Sequence, residues 1–184
     1  MQKWIFCLFI ILFGGWNSPV VPDLNTDLLD WETRNLVWTD FKGKAHYGGW
    51  EAAVTSYKIG YRLSYRGWGY PRVDVFCQFI KSQSWVRRDA MTDDILKHEQ
   101  KHFDLAEVYA RKMRKAVREA DLRDYPGRYI ERRVEEIYQD IWNECSDMQD
   151  QYDHETRHGL EEEEQAIWDQ HISDLLLAYA AYRR

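Results

Sequence analysis

At 184 residues the chain suits one domain and is long enough to bury a core without several covalent staples. Aromatic residues make up 15% and charged residues 30%, which excludes an intrinsically disordered chain and a membrane bundle. A formal net charge of −6 leaves no basic footprint, so nucleic acid is not expected as a partner.

Lys3 is followed by the apolar run Trp4 to Phe13, then by Gly14, Gly15 and the segment Asn17 to Pro22. A short positive region before such a run reads as a secretory signal peptide over residues 1–18. The run is too short for a spanning helix, which needs about twenty apolar residues. An exported protein is expected, periplasmic or secreted, touching a membrane only through this segment if it is retained uncut. Cys7 lacks the small residues that would precede a lipidation site. Residues 23–184 read as a single domain, β-rich over 23–90 and helical over 91–184; no feature sets an oligomeric state.

Chain order gives a short strand at LVWTDF (36–41), then VTSYKIGYRLSY (54–65), the turn-like RGWGYP (66–71) and RVDVFCQFIKS (72–82). In the last run Val73, Val75, Cys77 and Phe79 alternate with Arg72, Asp74 and Gln78, the period of a strand with one buried face. Two such runs about Gly67, Gly69 and Pro71 predict an antiparallel hairpin. Beyond Ala90 the pattern becomes helical. Thr92 suits an N-cap, with Asp93 and Asp94 at the positive end of the dipole, and the helix runs to about Ala120. Further helices are expected over Tyr129 to Tyr152 and from near Leu160 to Tyr182. A small antiparallel sheet followed by three long helices is an α+β fold.

The first helix carries LKHEQKHFDLAE (96–107). On a wheel of 100° per residue, His98 and His102 fall with Ile95, Leu105, Tyr109 and Met113, within about 80° of one another. Asp104, Glu107, Arg111, Lys115 and Arg118 fall on the far side, so the basic run ARKMRKAVR (110–118) reads as a solvated face. A single histidine on an apolar face is usually a core residue with one hydrogen bond. Two at i, i+4 share one side of the helix and converge on one ion, and Glu99 stands where its carboxylate activates water there as a general base. A catalytic zinc takes a third protein ligand. The extended zincin spacing would put it at Val108, which cannot serve, so the ligand comes from elsewhere, and the richest cluster is YDHETRHG (152–159), which offers Asp153, His154, Glu155 and His158. A second helix running straight on favours Glu155; one ending between Tyr152 and Thr156, with Gly159 as terminator, lets His158 turn inward. Cys77 and Cys145 form either a disulfide or two buried thiols, and no Cys spacing suits a metal.

The segments WTDFKGKA (38–45), KSQSWV (81–86), LKHEQKHFDLAEVYARKMRK (96–115) and YDHETRHG with Gln165 and Trp168 resemble, in this order, a family of bacterial proteins of unknown function described as predicted secreted zinc-dependent proteases. The likeness spans about residues 31–170, and HEQKHFD is its most specific element. It implies a zinc-bound HExxH site in an exported protein, with His158 rather than Glu155 as the third ligand beside His98 and His102. On that reading the chain is a zinc metallopeptidase acting on a peptide or protein substrate, with Glu99 as base and Asp153 orienting a ligand. The alternative is a non-catalytic envelope protein, in which a structural metal or a polar cluster at the same place fastens the helices together.

Overall fold

The computed structural model of the chain describes residues 27–49, 51–66, 70–122 and 127–184. The expected signal peptide (1–18) and the tip of the hairpin turn lie outside them. Five strands come first: β1 (Leu28–Asp30), β2 (Ala53–Val54), β3 (Tyr57–Arg66), β4 (Tyr70–Ile80) and β5 (Trp85–Val86). Three long helices follow: α1 (Asp93–Glu119), α2 (Gly127–Thr156) and α3 (Glu162–Ala178). The fold is α+β, a small antiparallel sheet followed by three helices. No helix among the described residues is long and apolar enough to cross a membrane.

β3 and β4 form the predicted hairpin, in register from Tyr57↔Phe79 to Arg66↔Tyr70. β1 adds a third strand on the other edge of β4, while β2 and β5 pair separately. The alternation of β4 places Val75, Cys77 and Phe79 in the core, against Phe103, Ala106 and Met113 of α1. α2 closes this core with Ile130, Val134, Ile137, Ile141 and Cys145, the three-and-four spacing of one helix stripe. Leu105, Tyr152, Trp168 and Ile172 make a smaller core that joins α1, α2 and α3.

Segment 36–41 is not a strand. Asp40 folds it into a 3-10 turn, Trp38–Asp40, by accepting from the Val37 amide at 3.1 Å and from Arg34 at 2.7 and 2.8 Å. The strand that pairs with β4 is instead the unpredicted β1. Nor is the polar side of α1 wholly solvated, because α3 and the C-terminal turn cover it. Asp104, Glu107 and Arg111 are buried. Their charges are met locally: Arg111 and Arg114 donate to Glu107 at 2.9 and 2.8 Å, and Trp31 donates to Asp104 at 2.9 Å. Arg111 also donates to the Leu176 carbonyl at 2.7 Å and Arg114 to that of Tyr182 at 3.2 Å, which ties the C-terminal segment to α1. Cys77 and Cys145 are free thiols packed in the main core as small hydrophobes rather than a disulfide, and burial pushes the Cys145 thiol up to about 11.

Candidate metal centre

α1 begins where the sequence places its cap, with the Thr92 hydroxyl accepting from the Ile95 amide at 3.3 Å. His98, Glu99 and His102 lie in its next two turns. His98 and His102 side chains keep only 3% and 13% of their surface exposed, so each imidazole needs partners inside the protein. Tyr152 of α2 walls them in, stacked on His98 (centroids 4.7 Å apart) and edge-on to His102 (4.9 Å). The two Nε2 atoms approach to 3.1 Å. Asp153, next along α2, places Oδ1 at 3.2 Å from His98 Nε2 and 2.9 Å from His102 Nε2. One ligand atom from each of His98, His102 and Asp153 thus lies within 4.8 Å of the other two, a group able to hold a metal ion.

The outward nitrogens are fixed by glutamines. His98 Nδ1 meets Gln165 Oε1 at 3.0 Å, and His102 Nδ1 meets Gln149 Oε1. An amide oxygen only accepts, and with each glutamine oxygen on Nδ1 the two Nε2 atoms are the ones turned to Asp153. Three electron-rich atoms then meet at one point, which only positive charge stabilises. Burial opposes a charged His102, but the hydrogen bond and charge of Asp153, with the charge of Glu99, outweigh it and push its pKa up to about 9. Burial likewise opposes ionised Asp153, yet hydrogen bonds from His102 and His98 hold it well below the usual carboxylate range. One shared proton or one cation satisfies this set. Two imidazole nitrogens and a carboxylate oxygen are ligands that zinc takes.

Glu99 supplies an independent sign. Its side chain is buried, and Oε2 has no hydrogen-bond partner among the described residues. An orphaned buried carboxylate oxygen is costly, of order 1–3 kcal/mol or more for a charged group. Beside His98, it fits a water molecule held by a cation at the neighbouring ligands.

The residues of YDHETRHG separate by role. α2 stays helical to Thr156, and its inward face there carries Gln149, Tyr152, Asp153 and Thr156. Glu155 is turned towards α3, where it is exposed and accepts from Trp168 Nε1 and Gln151 Nε2, each at 2.8 Å. The straight-helix preference for Glu155 is therefore not met, because its position points across to α3. Arg157, His158 and Gly159 then take left-handed φ values of 46°, 58° and 82°, closed by the His158 amide donating to the Asp153 carbonyl at 3.0 Å. This turn brings His158 inward as the early-ending reading required, but onto Asp153: Nδ1 lies 3.1 Å from the same Oδ1. Asp153, expected as the orienting or alternative ligand, is thus the residue grouped with His98 and His102, and His158 contacts Asp153. Gly159 is needed where the turn meets α1, since a Cβ there would lie 3.0 Å from His98 Cβ.

Sequence reasoning missed the two orienting glutamines. Gln149 carried a readable signal, a polar residue on the buried α2 stripe between Cys145 and Tyr152. Gln165 carried less, being known only from the resemblance.

Residues 79–159 match the model of a family described as Bacterial protein of unknown function (DUF922). No curated protein and no solved structure matches the chain. The matched segment starts at the end of β4, includes all of α1 and α2 and stops at Gly159. All of the candidate centre except Gln165 thus lies in a segment similar to a bacterial domain of unknown function.

Proposed function

We propose that the chain is a zinc-dependent hydrolase that cleaves peptide bonds outside the cytoplasm. The observation that carries this reading is the convergence of His98 Nε2, His102 Nε2 and Asp153 Oδ1, together with the unpartnered buried oxygen of Glu99, whose charge acts on His102. Export is supported by the N-terminal apolar run after Lys3. A zinc ion at the three ligands supplies Lewis-acid polarisation of a carbonyl and raises the acidity of water. The rest of the chemistry belongs to the chain. Glu99 accepts a proton from water as the water oxygen bonds to the scissile carbonyl carbon. It then returns that proton to the amine nitrogen as the C–N bond breaks. Burial of Glu99 and of the His98 ring keeps bulk water from competing for these contacts, and Gln149 and Gln165 hold the imidazoles in place.

A structural role for the same cluster is favoured by a different observation. His98 and His102 of α1, Asp153 and Tyr152 of α2, and Gln165 of α3 form one hydrogen-bonded unit that joins all three helices. Glu99→Gln separates the two readings, because it changes neither the ligand set nor the shape of the site. For the hydrolase we expect unchanged metal content and unfolding, with peptide hydrolysis reduced by about 10²–10⁴-fold, the usual contribution of a general base. Hydrolysis that survives the substitution rejects Glu99 as the base. A wild-type protein that loads metal yet cleaves nothing in a broad peptide library supports the structural role.

A further inference from the structure

We propose that Gln149 and Gln165 are positioning residues of the metal centre: each holds one imidazole as its Nδ1–H tautomer and so turns its Nε2 lone pair onto the shared point. The proposal rests on the metal-site reading above and extends it to two side chains that the HExxH motif does not specify.

Each glutamine's orientation is settled by a contact independent of the histidine. Gln149 Nε2 donates to the backbone carbonyl of His102 at 2.9 Å. Flipped, this amide would set its oxygen against that carbonyl, two acceptors face to face. Gln165 Nε2 donates to Asp169 Oδ1 at 2.9 Å and to the Tyr152 hydroxyl at 2.9 Å. Flipped, it would set its oxygen against the Asp169 carboxylate. In both residues the oxygen is left to face Nδ1, and an acceptor there demands a hydrogen on that nitrogen. Gln165 Oε1 faces His98 Nδ1 at 3.0 Å, and the Tyr152 hydroxyl, whose one hydrogen is shared with the His98 carbonyl, lies 3.1 Å from it. The Nε2–H form of imidazole, which free histidine prefers in water, would point a hydrogen at the metal position and leave Nδ1 facing an acceptor.

The two glutamines come from different helices, and this gives α3 a part in the site. Gln165 sits in the first turn of α3, beyond the end of the segment that matches the bacterial family. α3 is held there by Trp168 in the small core, by the Trp168 indole on Glu155 and by the Lys97–Asp169 ion pair. Asp169 orients Gln165, Gln165 orients His98, and α3 is thereby coupled to the ligand set without supplying a ligand.

The test uses zinc as the probe and reads the histidine ring nitrogens by long-range ¹H–¹⁵N spectra of the full chain, zinc-free and zinc-loaded. Wild type is expected to show protonated Nδ1 on both His98 and His102 in both states. Gln149→Met should release only the His102 Nδ1 hydrogen to exchange, and Gln165→Met only that of His98, each with zinc affinity lower by about 10–100-fold. A wild-type ring with bare Nδ1 overturns the proposal, and so do folded Met variants that bind zinc as wild type does. Should the Met variants fail to fold, the wild-type spectra decide alone. Should wild type bind no zinc, the metal-site reading falls, while the selective loss of Nδ1 hydrogen protection in each zinc-free Met variant still decides whether the glutamines hold those hydrogens.

Discussion

His98 Nε2, His102 Nε2 and Asp153 Oδ1 compete for one positive charge, and in the metal-free protein a proton supplies it. His102 holds that proton up to about pH 9, where its pKa lies. Zinc binding must displace it, so apparent zinc affinity should rise about tenfold per pH unit towards that value and level off above it. Chelator competition across this range measures the slope; a flat profile would mean that no proton is displaced. Without metal the same pair affects folding. A raised His102 pKa contributes stability that is complete below the ordinary histidine value of about 6.5 and is lost as pH rises through about 9. A depressed Asp153 pKa contributes stability present above the ordinary carboxylate value and lost as pH falls through its lowered one. Zinc should therefore raise the melting temperature most at alkaline pH, where the proton no longer serves. At this scale His98, Glu99 and His102 were legible in the sequence, because an i, i+4 pair on an apolar stripe is fixed by helix periodicity alone. Asp153 was not singled out over its neighbours. On a helix one residue is 100° of rotation, and the rotation of α2 against α1 is set by tertiary contacts of Tyr152 and Gln149.

The end of α2 is the element on which the site's shape turns. Three consecutive left-handed residues, two of them not glycine, form the turn that returns the chain to His98. Conformations of this kind cost of order 1–3 kcal/mol each and persist where surrounding contacts impose them. Thr156 contributes such contacts, with its hydroxyl donating to the Tyr152 carbonyl at 2.7 Å and accepting from the Gly159 amide at 3.3 Å. Gly159→Ala combines a φ of 82° with a Cβ 3.0 Å from His98. Denaturant unfolding should show a loss of about 1–3 kcal/mol, and zinc affinity should fall as the His98 ring is pushed. Unchanged values would contradict this account of the turn. The limits of α1 and the β3–β4 hairpin were legible because capping and alternation are local signals. β1 is only three residues long and carries too little periodicity to be seen. The turn at 38–40 escaped because Asp40 and Arg34 override the β character of the residues around them.

The whole molecule is arranged around α1, which the sheet, α2, α3 and the C-terminal turn all pack against. Its two faces meet these neighbours by different means. Apolar packing and the candidate centre serve the first, and the Glu107–Arg111–Arg114 cluster serves the second, with bonds to the carbonyls of Val75, Leu176 and Tyr182. The polar residues of that second face look solvated on a wheel, because a wheel does not show that α3 returns to cover them. Glu107 is 1% exposed and faces two guanidinium groups, so Glu107→Leu leaves both cations without their shared anion. Breaking a buried ion pair from one side costs about 3–5 kcal/mol, which thermal unfolding of the variant would register as a large drop in melting temperature. A variant as stable as wild type would show that the cluster contributes nothing net. Native mass spectrometry of the intact chain with zinc reads whether α1 and α2 together form a metal site completed by Asp153. One zinc ion per chain is expected in wild type, lost in Asp153→Ala and retained in His158→Ala. A wild-type chain without zinc, or an Asp153→Ala chain that keeps it while His158→Ala loses it, would rule out Asp153 as the completing ligand.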